Sequence, residues 1–325
     1  MKDWIIYSCP FVPAEWIAAH GMRPSRIMPN SKHASDSICA APGVCPYVRA
    51  FAGAVASEPD AAGVVVTTMC DQMRRASELI ARDSESPVFL MNVPSTWETV
   101  NAQKMYGSEL QRLGRFLVQL GGESPSTERL AGVMREYDAK RSAVRDARGS
   151  LSARSYSDLI ARFHRDGDTD IPKEVMIPQG VPLALVGGPL LAEYFQFFDL
   201  IEGAGGYIAL DATETGERTL PAPFDRRRMS DEPLEVLAEA YFGSIPDASR
   251  RPNSLLYQWL KKEIDVRGIR GIIFVRYVWC DMWHAEAQRM KEWLGLPFFD
   301  LDISEDLSDL SRKMTRFEAF MEMLR

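Results

Sequence analysis

Apolar runs and amphipathic stretches alternate along the chain, and this alternation predicts strands and helices in turn. In the first half, the apolar runs at 63–69 and 87–93 predict buried strands. Apolar residues at helical spacing follow each run, over 72–83 and again over 106–120, where Gly121 and Gly122 end the pattern. Strands that alternate with helices indicate a parallel sheet with helices on its faces.

The alternation stops in the middle of the chain and then resumes. Residues from about 125 to 173 are charged and carry two helical patterns, around 130–137 and 156–163. The second half predicts strands at 181–186, 205–210, 271–279 and 297–301 and helices at 191–201, 233–243, 285–295 and 307–324. We therefore expect an α/β protein with two Rossmann-like, doubly wound parallel-sheet lobes, 1–124 and 179–325, joined by a helical connector at 125–178.

Two of the predicted strands are built alike and lead to the same dipeptide. The strand at 63–69 is followed by Cys70-Asp71, and the strand at 271–279 is followed by Cys280-Asp281. Sites in open α/β sheets form at the carboxyl ends of strands, and the N-terminus of the helix that follows stabilises a thiolate. A lone cysteine in such a place is often only a small buried hydrophobe, and that alternative stays open. The duplication favours convergence on one site.

Composition narrows the class of protein. The chain has 325 residues, 46% hydrophobic content and a formal net charge of −7, which is typical of a globular protein and argues against a general nucleic-acid binder. The apolar run at 1–7 is too short for a signal peptide, and no apolar segment approaches the ~20 residues that span a membrane. We therefore expect a cytoplasmic protein without a membrane segment. In that compartment, five cysteines are thiols or metal ligands rather than a disulfide framework.

Cys45 is the third candidate ligand, after Cys70 and Cys280. It stands before Pro46, at the start of a predicted helix. Three thiolates and one further ligand complete a [4Fe–4S] cluster. Cys39, Cys9, a water or hydroxide, or the substrate could take the fourth position. Zinc is the rival metal, although the close cysteine spacings of zinc modules are absent from the sequence.

Histidines and glycines give weaker signals. His284 follows Cys280 within one helical turn and is a candidate catalytic proton carrier, with a solvent-facing or helix-capping position as the alternative. His20 and His33 lie in the N-terminal segment, and neither is favoured. No G-x-G-x-x-G follows a predicted strand, so the sequence does not indicate a dinucleotide site.

Five segments in this order resemble those of the 2-hydroxyacyl-CoA dehydratase / benzoyl-CoA reductase family, in its D-component type of subunit. They are 13–24 (PAEWIAAHGMRP), 45–49 (CPYVR), 67–71 (TTMCD), 278–281 (VWCD) and 315–324 (TRFEAFMEML). The resemblance implies a [4Fe–4S] cluster held between the lobes by Cys45 and Cys70 of the N-terminal lobe and Cys280 of the C-terminal lobe, with Cys39 as a further candidate.

The resemblance also implies an activity and partners. Family members pair with a homologous second subunit or a second copy, and an ATP-hydrolysing iron–sulfur activator supplies one electron at low potential. That electron turns an acyl-CoA substrate into a ketyl radical. We therefore expect a subunit of a 2-hydroxyacyl-CoA dehydratase, which is a lyase, or of a low-potential acyl-CoA reductase.

Two alternatives stay open. The first is an accessory or electron-transfer [4Fe–4S] protein of the same fold that has no acyl-CoA substrate of its own. The second is a non-catalytic relative that has lost the metal. The presence of all three candidate ligands in the sequence argues against this alternative.

Overall fold

The computed structural model describes residues 3–34, 43–173, 179–303 and 310–325, and the first of its two sheets lies in the N-terminal half. This sheet has four parallel strands in the order β2-β1-β3-β4. The strands are β1 (Trp4–Tyr7), β2 (Arg23–Arg26), β3 (Ala61–Thr67) and β4 (Val88–Met91). All seven residues of β3 are buried, as the apolar run predicted.

Helices cover this sheet and lead to the second half. They are α1 (Ala14–Ala19), α2 (Pro46–Ala56), α3 (Asp71–Asp83), α4 (Val100–Gln119), α5 (Thr127–Asp146) and α6 (Ala153–Asp166). Ser126 and Ser152 begin α5 and α6, because their side chains accept the backbone N–H three residues further on. Residues 174–178 of the predicted connector lie outside the described part of the chain.

The second sheet repeats the first. Its four parallel strands run in the order β6-β5-β7-β8. They are β5 (Val181–Gly187), β6 (Gly206–Ala212), β7 (Gly271–Tyr277) and β8 (Phe298–Ile303). The helices are α7 (Gln196–Gly203), α8 (Pro233–Ala238), α9 (Ser254–Arg267), α10 (Asp281–Leu294) and α11 (Leu310–Leu324), and a π-helical turn at Glu239–Gly243 continues α8.

The predicted α/β fold with two Rossmann-like lobes is confirmed, but several elements differ from the pattern. The strands β1 and β2 and the helices α1 and α9 were not predicted from the sequence. The strand β2 reads Arg-Pro-Ser-Arg and has no apolar alternation; it lies at the sheet edge, where Pro24 does not interrupt a ladder. Of the predicted closing helix at 307–324, residues 307–309 lie outside the described part of the chain. The lobe boundaries at 124 and 178 stay a prediction.

The strand order creates a switch point in each sheet. The chain moves outward from β1 to β2, then passes β1 again to form β3, so the carboxyl ends of β1 and β3 are neighbours. The strands β5 and β7 stand in the same relation in the second sheet. Ligands of open α/β sheets bind in the crevice at such a point.

Buried polar groups and a shared core join the halves. The guanidinium of Arg26 donates to the carbonyl oxygens of Ser8 and Glu214, both at 2.6 Å, and to Thr219 Oγ1 at 3.1 Å. One apolar core contains residues of both β3 and β7. The two sheets are therefore held with a fixed relation to each other. Across the described residues, no helix is both long and apolar enough to cross a bilayer.

Candidate functional site

The carboxyl edges of the two sheets enclose a cavity of about 60 Å³, hereafter the thiol cavity. One water needs about 10–15 Å³ on this measure, so the cavity has room for a larger group. The walls are Ser8, Cys9, Pro10, Phe11, Cys45, Tyr47, Val48, Thr67, Met69, Cys70 and Met73 from the first half and Pro189, Glu214, Asp247, Tyr277, Cys280, Met282 and Trp283 from the second. A wider groove of about 840 Å³ between α4, α5 and α8 contains no cysteine or histidine.

The three predicted ligands share one structural position. Cys45, Cys70 and Cys280 are the N-cap residues of α2, α3 and α10. Cys70 is the third residue after β3, and Cys280 is the third residue after β7. Cysteine is not among the preferred N-cap residues, and none of these side chains makes a close capping hydrogen bond. Serine, threonine, aspartate or asparagine would cap these helices better, so capping alone does not explain why cysteine stands at three helix starts around one cavity.

Burial is the main influence on the pKa values of the three thiols. It raises the pKa of Cys45 to about 12 and that of Cys280 to about 12, and it also raises the pKa of Cys70. Backbone amides in the first turns of the three helices act in the opposite direction and favour the thiolates. Without a ligand, the thiols are neutral near pH 7. A metal that binds here replaces their protons.

The thiols of Cys45, Cys70 and Cys280 also affect one another. The charges of Cys280 and Cys70 raise the pKa of Cys45, and the charge of Cys70 raises that of Cys280. The structure thus brings together the three residues that the sequence singled out. Cys39, the further candidate, lies outside the described residues.

Cys9, one of the candidates for the fourth ligand position, also lines the thiol cavity. It follows β1 at the switch point of the first sheet and is 6% exposed. Burial and the charge of Glu214 raise its pKa to about 12, while Thr67 and the amide of Phe11 lower it. Its place on the cavity wall depends on β1, a strand of only four residues that was not predicted from the sequence.

The histidines lie elsewhere. His284 is exposed in the first turn of α10 and does not line the cavity, so its catalytic role stays a prediction. His20 is buried against Trp16, whose carbonyl oxygen lies 2.7 Å from His20 Nδ1. His33 lies 3.1 Å from the backbone nitrogen of Asn30, in a surface turn.

The second half contributes two carboxyl groups that sequence analysis missed. Burial, followed by the charge of Asp247, raises the pKa of Glu214 to about 7 against the opposing charges of Arg218 and Arg26. Burial also acts on Asp247, but Arg218 and Ser249 hold its pKa below the ordinary value. Glu214 comes just after β6. Cys70 and Cys280 were selected because they follow the carboxyl ends of strands, and the same criterion applies to Glu214.

The loop before Cys280 has an unusual backbone. Trp279 has φ of +69°, the one positive value at a non-glycine residue in the described part of the chain, and its side chain is 59% exposed. A bulky residue in this region is strained by about 1–3 kcal/mol. The corresponding residue before Cys70 is Met69, which packs partly against the core of the first lobe.

The donor set around the thiol cavity does not suit a single metal ion. Among the described residues, no three histidine, cysteine, aspartate or glutamate side chains lie close enough to bind a single ion. The three thiols are spread around the cavity instead. A four-iron cluster is a larger body than one ion and takes its ligands from cysteine thiolates, so this spread donor set fits it.

Comparison with known proteins gives one match. A family model described as 2-hydroxyglutaryl-CoA dehydratase, D-component, matches residues 9–324, which is nearly the whole chain. The matched range includes every residue that lines the thiol cavity except Ser8. No curated protein matches the chain.

Proposed function

The chain belongs to the 2-hydroxyglutaryl-CoA dehydratase D-component family, and we propose that it is a subunit of a 2-hydroxyacyl-CoA dehydratase whose thiol cavity holds a [4Fe–4S] cluster. Family membership supports a dehydratase-type subunit. The observation that carries the cluster is the convergence of Cys45, Cys70 and Cys280, each at a helix N-terminus, on one cavity.

The chain supplies what such a cluster needs. Cys45, Cys70 and Cys280 are the thiolate ligands, and the helix N-termini beside them offset negative charge. Apolar side chains such as Met73 and Met282 line the same walls and limit the access of water. When bound, the cluster supplies one-electron chemistry. Cys39 or Cys9 is a further ligand, or the fourth position is left for substrate.

The proposed reaction is the removal of water from a 2-hydroxyacyl-CoA. The 2-hydroxyl and a hydrogen of the adjacent carbon leave, and a carbon–carbon double bond forms, so the overall change is redox-neutral. An ATP-hydrolysing iron–sulfur activator supplies the electron that starts turnover. Reduction of an acyl-CoA by the same subunit type is the variant of this proposal within the family.

The size of the cavity limits what it binds. Sites that enclose a whole drug-sized ligand measure about 300–1,000 Å³, whereas the thiol cavity measures about 60 Å³. Only the acyl end of the substrate therefore enters, and the CoA portion lies outside. The word component in the family description supports a two-subunit particle, formed with a homologous subunit or with a second copy of this chain.

A second candidate function is electron transfer by an accessory cluster protein with no acyl-CoA substrate. The observation that favours it is Cys9, because a fourth thiol on the cavity wall permits a fully ligated cluster. The two functions differ in whether an iron position is open to substrate.

Anaerobic purification and reconstitution of the full chain test the proposal. We expect brown protein with about four irons per chain and an EPR spectrum that changes when a 2-hydroxyacyl-CoA is added. The triple variant Cys45→Ala/Cys70→Ala/Cys280→Ala is the matched control and should bind no cluster. A colourless, iron-free wild type contradicts the cluster, and a spectrum that is indifferent to acyl-CoA favours electron transfer.

A further inference from the structure

Glu214 has a fixed backbone at the meeting point of the two halves. Its N–H donates to the carbonyl oxygen of Gly188 at 3.2 Å, and its carbonyl oxygen accepts from Arg26 Nη2 at 2.6 Å. Gly188 follows β5 and Arg26 ends β2, so one contact comes from each sheet. The backbone is thus held from both sides, and the side chain lines the thiol cavity.

The carboxyl group of Glu214 has no structural partner of its own. It makes no hydrogen bond or ion pair with any residue in the described ranges. Asp247, the other carboxylate of the cavity, accepts from Arg218 and from the backbone N–H and Oγ of Ser249. A partly enclosed carboxyl group without partners costs stability, so Glu214 has no evident role in folding.

The charged and titratable groups around Glu214 come from both halves. The guanidinium groups of Arg26 and Arg218 favour its ionised form, and the charge of Asp247 opposes it. On the cavity side, its charge acts on the thiols of Cys9, Cys70 and Cys280 and on the Tyr47 hydroxyl. The net result of burial and these charges is a pKa of about 7. A carboxyl group of this kind both gives and takes a proton near neutral pH.

We propose that Glu214 is a catalytic residue that transfers protons to and from the acyl group in the thiol cavity. This inference rests on the proposed dehydratase function. The carboxylic acid of Glu214 donates its proton to the 2-hydroxyl as the C2–O bond breaks. The electron pair of that bond leaves with the oxygen, which departs as water. The carboxylate then takes the C3 proton, and the C3–H electron pair becomes the second bond between C2 and C3. Glu214 regains its proton from C3, and the electron that started turnover is released again once the double bond has formed, so no net electron is used.

Other described groups near the cavity are less suited to this task. Asp247 is held as a carboxylate by Arg218, and His284 is exposed on α10 away from the cavity wall. The thiols are assigned to the cluster. Glu214 is thus the carboxyl group that faces the cavity and remains free to exchange a proton.

The variant Glu214→Gln tests this in the reconstituted full-length protein. We expect wild-type iron content and a wild-type EPR response to a 2-hydroxyacyl-CoA, with turnover lowered about 100- to 10,000-fold. Glu214→Asp should recover part of the rate. The wild-type dependence of kcat/KM on pH should show an ionisation that the residual activity of Glu214→Gln lacks. A merely structural role would leave that profile unchanged.

The matched control is Glu202→Gln on α7. Burial raises the pKa of this carboxyl as well, but Glu202 does not line the cavity, so turnover should stay at the wild-type rate. Turnover of Glu214→Gln within about threefold of wild type overturns the inference, and so does loss of iron, which would make Glu214 a ligand. Failure of the proposed function is visible in the wild type itself, as absence of the cluster or of turnover, whereas failure of this inference appears only in the variant.

Discussion

The first lobe and the second lobe present the same sheet edge to the thiol cavity but with different side chains. Both sheets have the same strand order, and the third strand of each leads to a cysteine at a helix start. The first lobe adds two more thiols, Cys9 and Cys45, whereas the second adds two carboxyl groups, Glu214 and Asp247. The repeated backbone places the site, and the side chains at the strand ends decide its chemistry.

This division separates two tasks within one cavity. Three of the four wall cysteines come from the first lobe, which makes it the main source of cluster ligands under the proposed function. The second lobe supplies one thiol and the proton-transferring carboxyl. Because Cys280 is a ligand from the second lobe and the other thiols come from the first, the cluster would connect the two lobes. The experiments below test whether the two lobes contribute as differently as their wall residues indicate.

The largest expected effect comes from removing one ligand in each lobe. Cys70→Ala and Cys280→Ala should each lower the iron content after anaerobic reconstitution from about four to below about one per chain, because rigid ligand positions dominate retention. Cys45→Ala should do nearly the same. Iron and sulfide analysis gives the measurement.

Cys9→Ala separates the two candidate functions within the first lobe, because loss of iron in this variant would indicate the fully ligated cluster of an electron-transfer protein. The Cys9 thiol interacts with Thr67 and the amide of Phe11, so we expect iron content close to wild type. Full iron retention in Cys280→Ala would show that the second lobe contributes no ligand and would end the comparison.

The second largest expected effect is on the free energy of unfolding, and it should differ between two buried ion pairs. Glu15 on α1 pairs with Arg141 on α5, whose Nε and Nη1 have no hydrogen-bond partner in the described structure and whose second carboxylate, Asp138, lies 3.8 Å from Nη1, beyond hydrogen-bond distance. Arg218 in the second lobe pairs with Asp247 and also donates to three backbone carbonyls. Glu15→Ala should therefore lower the free energy of unfolding by about 3–5 kcal/mol. Asp247→Ala should cost about 2 kcal/mol, since Arg218 keeps other acceptors.

Urea denaturation of the two variants at pH 7 compares these values. The prediction concerns the difference between the lobes. Equal losses of stability would mean that the backbone carbonyls around Arg218 contribute nothing once its carboxylate is removed.

A third test measures how the free energy of unfolding of the protein without a cluster depends on pH. The folded pKa of Glu214 lies at about 7 and the ordinary value is 4.5, so from about pH 4.5 to 7 the folded chain holds a proton that the unfolded chain releases. The stability that this carboxyl contributes is therefore lost as pH rises through this window. Glu214→Gln should be more stable than wild type at pH 8, by about 2–3 kcal/mol, and equal to it at pH 4.5 or below.

Urea midpoints of both proteins across this pH range give the measurement. Glu202→Gln is again the matched control and should change the pH dependence far less. A stability difference for Glu214→Gln that does not vary with pH would contradict the burial of this carboxyl.

The smallest expected effect concerns the two loops before the strand-end cysteines. Trp279→Gly removes left-handed strain but adds backbone freedom to the unfolded chain, so the free energy of unfolding should change by less than about 1 kcal/mol. Met69→Gly has no strain to relieve and loses apolar contacts, so it should cost about 1–2 kcal/mol. Thermal unfolding compares them; a larger loss for Trp279→Gly would show that its exposed ring makes stabilising contacts.

Much of the fold was readable from the sequence. The run at β3 is buried along its whole length, and the stripe on α11 places Phe317, Phe320 and Met321 in the core. These elements are readable because their burial follows a local period, 2 for strands and 3.6 for helices. Pro46 similarly marks the helix that begins after Cys45.

The elements that were missed have no such local signal. The strand β1 has four residues, and β2 carries two arginines and a proline; both exist because neighbouring strands pair with them. Cys9 was a candidate for the fourth ligand position, but its place on the cavity wall depends on β1 and was not evident from the sequence.

The sequence by itself determined the alternating α/β order and the two strand-end cysteines, because periodicity and helix starts depend on residues that are close together in the chain. The sequence also predicted that Cys45, Cys70 and Cys280 share one site, but only the tertiary structure shows the cavity that they line, that Cys9 lines it as well and that His284 does not. The tertiary structure also decided the pKa of Glu214, because burial and the fields of Arg26, Arg218 and Asp247 come from distant segments. Distances between sheet edges, and the dielectric between them, arise only when both lobes have folded.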